Sequence, residues 1–196
     1  MLEVQAIVSA PFRVLGIDPG SRVSGFGVVE ARGSQVVHVA HGVLRLPGDL
    51  PLELRLAELF HGLCDALARW TPDAVAVEGV FAFRNARSAL VLGHARGVAL
   101  LAAAQGGRPV FEYAPAAVKR AVGAGGAASK EAVARQIRAF LRLGGALRPD
   151  ASDALAVAMC HLHRSRVLAL LPQSPRARRR PLAWPRLSRA VYGTPR

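Results

Sequence analysis

Lysine is nearly missing from this chain of 196 residues, which has two lysines against 24 arginines. Acids are also scarce, 13 in all, and none follows Asp153. The two cysteines, Cys64 and Cys160, fall in apolar helix-like stretches without CxxC spacing. That pattern excludes a disulfide scaffold and disfavours a zinc or thiol redox centre, so both read as reduced core residues. No N-terminal run joins basic residues to an apolar core and a small-residue cleavage site, and no 18-residue stretch lacks charge or strong polarity. The expectation is a soluble, cytoplasmic protein without a signal peptide or membrane span. Internal repeats are absent too, which excludes solenoids and propellers.

What is abundant is positive charge. The net charge is +13 and the pI about 11.5, a balance that suits a polyanionic partner such as nucleic acid. Nine arginines lie beyond Ala154, leaving 17 basic and 13 acidic residues, or +4, for the rest of the chain. A length of 196 residues fits one domain that buries roughly 70% of its unfolded surface, so no metal staple is needed for stability.

The hydrophobic pattern divides the chain into an extra N-terminal arm (1–12), a globular part (13–171) and a basic Pro/Arg-rich disordered tail (172–196). Strand-like runs at 13–18, 24–31 and 34–46 form an antiparallel meander, with Gly33-Ser34 as a turn. A helix at 50–70 stops at Thr71-Pro72, and a buried strand follows at 73–78. Asn85 is placed to cap a helix over 85–105 that Gly106-Gly107 would stop. A short strand spans 109–113. Two helical pieces flank "GAGGAA" at 123–128, and a last helix runs from Pro149-Asp150 to about Leu171. A meander followed by alternating strands and helices implies an α/β three-layer domain around one mixed sheet.

Against this frame the acids stand out. "RVLGIDPGSRVSGFGVV" ends its first apolar run in Asp18, where Pro19 and a Gly20 able to take positive φ would turn the chain. "DAVAVE" ends likewise in Glu78. Asp150 and Asp153 sit three apart in the first turn of the final helix, on one face. Each has a structural use as well, Asp18 as acceptor for the turn and the pair as helix caps. Four carboxylates in one cleft, however, repel one another unless cations neutralise them, and hard divalent ions such as Mg²⁺ prefer such oxygens. Two such ions activate a water and stabilise a leaving oxygen in phosphodiester hydrolysis, so a basic chain with an acidic cleft reads as a metal nuclease.

Of the remaining residues, Phe81 and Phe83 in "GVFAFRNAR" divide between base stacking for Phe81 and core packing for Phe83. Arg84 and Arg87 are candidate phosphate contacts. The six histidines are scattered, and His161 and His163 suit packing better than zinc. The helix at 85–105 is apolar beyond one face, and its Gly93 and Gly97 fit either close packing on the sheet or a second helix. It therefore suggests a twofold homodimer.

The stretches "LGIDPGSRVSGFGVV", "VAVEGVF", "SALVLGHARGVALLAA", "FEYAPAAVKRAVGAGGAASKEAV" and "DASDALAVAMCH", in this order and spacing, resemble the RuvC family of bacterial Holliday-junction resolvases over about residues 13–165. The resemblance implies an RNase H-like fold, a mixed five-stranded sheet flanked by helices. It implies paired, Mg²⁺-dependent cleavage of four-way DNA junctions in recombination and repair, with two Mg²⁺ per site and Mn²⁺ as a substitute. Carried over by position, Asp18, Glu78, Asp150 and Asp153 would be the metal-binding catalytic acids. Lys119 and Lys130 would lie near the scissile phosphate, and Phe81 would contact bases. Implied partners are the junction, a second copy of the chain and the RuvA-RuvB branch-migration complex. The arm, the tail and Gly79, where relatives commonly carry a polar residue, depart from the family pattern.

Overall fold

The computed structural model describes residues 11–79, 86–123 and 129–170. Three antiparallel strands, β1 (Phe12–Asp18), β2 (Val23–Arg32) and β3 (Gln35–Arg45), lead into helix α1 (Leu52–Trp70) and strand β4 (Ala74–Glu78). Helix α2 (Ala86–Gln105), strand β5 (Val110–Tyr113) and helices α3 (Pro115–Ala121), α4 (Lys130–Leu141) and α5 (Pro149–Leu170) complete the order. The sheet runs β3-β2-β1-β4-β5, with β1, β4 and β5 parallel to one another.

The meander and its turns follow local chemistry. Gly33 takes φ of 56°, closing the β2–β3 turn, and Gly107 takes 66° just past α2. Gly20 does not adopt positive φ, contrary to expectation. It is needed for a different reason: a Cβ there would meet the Val23 carbonyl oxygen at 1.8 Å. Ser24 ties this turn, its hydroxyl accepting from Gly20 N at 3.0 Å and donating to Gly20 O at 3.1 Å.

Because β1 and β4 are covered on both faces, their apolar runs are continuous and only position parity assigns each residue to a layer. Leu15, Ile17, Val28, Val75 and Val77 pack with α1 and α2 on one side. Val14, Val29, Ala76 and Tyr113 face α3, α4 and α5 on the other. Across β1 and β2, Glu30 lies opposite Arg13 and is buried between Arg13 and Arg32, with an N–O distance of 2.6 Å to each. These cations, Arg32 first, hold its carboxyl below the usual range. Arg13 also donates to Trp70 O at 2.6 Å, tying the end of α1 to the sheet.

The densest contact is between α5 and the middle of the sheet. A Cβ on Gly16 would lie 2.1 Å from Ala154 O, one on Gly25 1.9 Å from Asp150 O, and one on Gly27 2.7 Å from the Leu155 side chain. Gly16 and Gly27 are register partners, and Gly25 is opposite Asp18. Together with Ala151, Ala154 and Ala158 they let helix backbone rest directly on strand backbone. The two histidines of α5 pack, as expected. His161 is buried, 2.7 Å from the Tyr113 hydroxyl, and desolvation pushes its imidazole down to about 4. His163 Nδ1 lies 2.8 Å from Ala121 O.

Among the described helices α2 is long and apolar enough by length and composition to cross a membrane, although every 18-residue window of it contains His94 and Arg96, in keeping with the expectation that no such stretch lacks charge. In this fold it packs on α1, and its Arg96 pairs with Glu112 of β5. The Asn85 cap lies outside the described residues.

Gly16→Ala should destabilise the protein by about 3 kcal/mol, because the atom it strikes is a backbone carbonyl that cannot rotate away. Urea unfolding checks this, and a loss below about 1 kcal/mol would contradict the close seating of α5.

Candidate active site

Strand parity builds the site. In β1, Val14 and Gly16 face α5, and Asp18 continues that face; in β4, Ala76 does so and Glu78 follows. The parallel register pairs Ile17 with Val77, so the two strand ends finish side by side. Asp18 and Glu78 are consequently hydrogen-bonded to each other. Gly79 N extends the ladder by donating to Tyr113 O at 2.8 Å.

Asp153 reaches the same place from above. The seat of α5 on Gly16 and Gly25 brings its second turn over the strand ends, and Asp153 adds to the negative charge felt by both acids. Lys130, first residue of α4, donates to Asp153 Oδ2 at 3.1 Å. Its helix start is fixed by Ser129, whose hydroxyl accepts from Ala132 N at 3.3 Å. Lys119 on α3 acts on Glu78 through its charge. Two lysines, the whole complement of the chain, thus adjoin three acids.

Asp150 is not drawn into this group. It pairs with Arg148 at 3.8 Å, and its backbone carbonyl, rather than its side chain, meets the sheet at Gly25. Because the helix begins at Pro149, Asp150 lies in its first turn and Asp153 beyond it, so the capping role does not extend to Asp153. The alternative role for Asp18 as acceptor for its own turn also gives way, since Ser24 takes the Gly20 amide. Phe81, Phe83 and Arg84 lie outside the described residues, and Arg87 is exposed at the start of α2.

The electrostatics carry the chemical message. Burial, then the charges of Glu78 and Asp153, pushes the Asp18 carboxyl up to about 8. Burial also raises Glu78, although its hydrogen bond from Asp18 opposes this. The pair therefore favours a proton on Asp18 that is hydrogen-bonded to Glu78. Asp153, ahead of the other acids, holds the Lys130 ammonium above its usual range. Among the described residues no three His, Cys, Asp or Glu side chains already surround a single point, and Asp153 pairs with Lys130 at 3.1 Å. The donor set itself consists of carboxylate oxygens whose crowding raises their proton affinity, which fits hard divalent cations able to displace that proton.

Carboxylates crowded at the ends of neighbouring parallel strands, in a five-stranded sheet whose first three strands form a meander, define an RNase H-like nuclease. The family model described as crossover junction endodeoxyribonuclease RuvC matches residues 14–161. The chain belongs to the RuvC family. A relative from Myxococcus xanthus, the crossover junction endodeoxyribonuclease RuvC of that organism, is 66% identical over 79% of this chain and 82% of its own length. That of Pelobacter propionicus is 51% identical over 77% and 86%. The solved structure of T. thermophilus RuvC in complex with a Holliday junction substrate has a TM-score of 0.73 and 34% identity, covering 80% of this chain and 96% of that one.

Sequence reasoning missed the glycine seat. Its signal was present, since Gly25 and Gly27 recur at period two on one strand, but only the register with Gly16 gives them a common purpose. A raised folded-state pKa makes ionisation unfavourable to folding. In chelator, stability should therefore fall as pH rises from about 4 through 8, and Asp18→Asn should raise Tm at pH 8 by about 4 °C. Thermal melts with and without divalent cation check this, and an Asp18→Asn protein less stable than wild type in chelator at pH 8 would contradict it.

Proposed function

We propose that this protein resolves four-way DNA junctions by hydrolysing one phosphodiester on each of two strands, with Asp18, Glu78 and Asp153 as the acids that hold two Mg²⁺ ions. The observation that carries the reading is the convergence of these acids at one buried mouth, where Asp18 retains a proton well above the ordinary carboxylate range. When bound, the ions supply charge neutralisation and an activated water. Asp18 and Glu78 would hold an ion between them in place of the proton that now links them. Lys130 is placed to move from Asp153 towards a phosphate oxygen, and Lys119 supplies a second ammonium on the Glu78 side. A compact ammonium fits among crowded oxygens where a planar guanidinium is wider. Asp150, whose carboxylate lies 3.8 Å from Arg148, is the fourth acid that the family pattern carries over, and it would join the set by exchanging that exposed pair for an ion.

Cutting two strands calls for two sites, and the outer face of α2 supports a twofold dimer. Leu90 is 63% exposed and Leu101 51%, and Gly93 and Gly97 between them face open space. The notion that these glycines pack on the sheet is thereby excluded. A Leu-Gly-Gly-Leu stripe of this kind allows two helices to approach closely.

Four-way junction, linear duplex and RNA offered side by side with Mg²⁺ test the activity. Paired nicks in the junction are expected, and Asp18→Asn or Glu78→Gln should reduce cleavage roughly 1,000-fold while junction binding persists. Lys119→Arg and Lys130→Arg should lower the single-turnover rate at nearly unchanged affinity. Cleavage of RNA in preference to the junction would overturn the assignment. Light scattering should give twice the 20.7 kDa chain mass, and Leu90→Glu with Leu101→Glu should return it to that of one chain.

A further inference from the structure

Beside the acid cluster, between α4 and the start of α5, lies a cavity of about 270 Å³. It shares Lys130 and Asp153 with the active site, and its remaining polar lining consists of Arg135, Arg138, Ser152 and Glu131. Arg135 and Arg138 are exposed cations on the α4 wall, and neither makes an ion pair within 4.0 Å among the described residues. Glu131 turns its carboxylate back to its own amide and to Ser129 at the start of α4 and also feels the Arg135 charge, which leaves Arg138 the less opposed of the two cations.

The opposite wall holds the most informative atom. Ser152 is 1% exposed, yet its hydroxyl has no hydrogen-bond partner among the described residues. A buried hydroxyl left without a partner costs about 1–3 kcal/mol, and because Ser152 belongs to the lining of this basic cavity, an acceptor held there would relieve that cost once the hydroxyl turns towards it. A cavity that two guanidinium groups line suits a small, oxygen-rich and negatively charged acceptor.

We propose that this cavity is a second phosphate subsite, which holds the backbone phosphodiester adjacent to the one presented to the acids on the cleaved strand. Arg138 and Arg135 grip its oxygens from α4, and the Ser152 hydroxyl donates to it from α5. Since Asp153 follows Ser152 directly in α5, a phosphate fixed here sets the position of the neighbouring phosphate against the catalytic acids. The inference rests on the junction-cleaving reading and adds to it the means by which the strand is held in register.

The test is a four-way junction carrying a single neutral methylphosphonate, moved one position at a time along the strand to be cut. Binding is measured in Ca²⁺ and cleavage separately in Mg²⁺. At one position flanking the cut, the neutral group should weaken wild-type binding about tenfold. Arg138→Ala should bind the unmodified junction with a salt slope smaller by about 1, and should show no further loss at that position while remaining sensitive elsewhere. Ser152→Ala, which removes the orphan hydroxyl, should weaken binding at the same position without lowering Tm. Losses that simply multiply at every position, for both variants, would overturn the subsite. Wild-type protein that binds the junction without cutting it would overturn the nuclease reading and leave the coupling measurable, and a failure to bind would overturn both.

Discussion

The contact on which the rest of this structure depends is the one between two backbones, where α5 lies on β1 and β2 with no side chain between them. Three glycines make it possible, and each touches helix atoms closer than any Cβ allows. Small residues on the helix, Ala151, Ala154 and Ala158, are the counterpart. Interior packing is too dense to absorb an added methyl at such a seam without moving the helix. Moving the helix would lift Asp153 away from Asp18 and Glu78, so one packing constraint sets both stability and the geometry of the site.

That geometry is electrostatically unfavourable on its own. In a chain of net charge +13, three of its few acids gather, and burial with mutual repulsion favours protonation of Asp18 and Glu78. The fold tolerates this because the surrounding core is well packed and because Lys130 offsets part of Asp153. Such local conflict is common where a protein is prepared for a ligand that it does not itself contain. The division between the two basic residue types fits the same picture. Among the described residues the arginines are distributed over many elements, whereas both lysines stand next to the acids, Lys119 from α3 and Lys130 from α4.

The two faces of the sheet have separate tasks. The α5 side carries the acids, the lysines and the basic cavity, all needed by a polyanionic strand. The α1–α2 side buries aliphatic residues against the sheet and leaves the outer stripe of α2 open. A nuclease that must act on two strands would gain from pairing through this stripe, the proposed dimer surface, away from its chemistry.

Much was readable from the sequence because strands and helices are local patterns. Apolar runs, Gly33, Gly107 and the period of α1 placed eight of the ten elements to within two residues, whereas α3 and α4 were legible only as helical pieces on either side of a glycine-rich stretch. Asp18 and Glu78 were legible as acids closing buried strands. The sequence could not distinguish Asp150 from Asp153, because spacing of three puts both on one helical face, whereas the seat on Gly25 leaves one beside Arg148 and the other beside Lys130. Nor could it show the orphan hydroxyl of Ser152, since whether a polar atom finds a partner depends on what another element brings near it. Periodicity and turn chemistry are properties of neighbours along the chain, and these the sequence determined by itself. The distances between Asp18, Glu78 and Asp153 arise from strand register and from the depth to which a helix settles on glycine, and only the tertiary structure decided those.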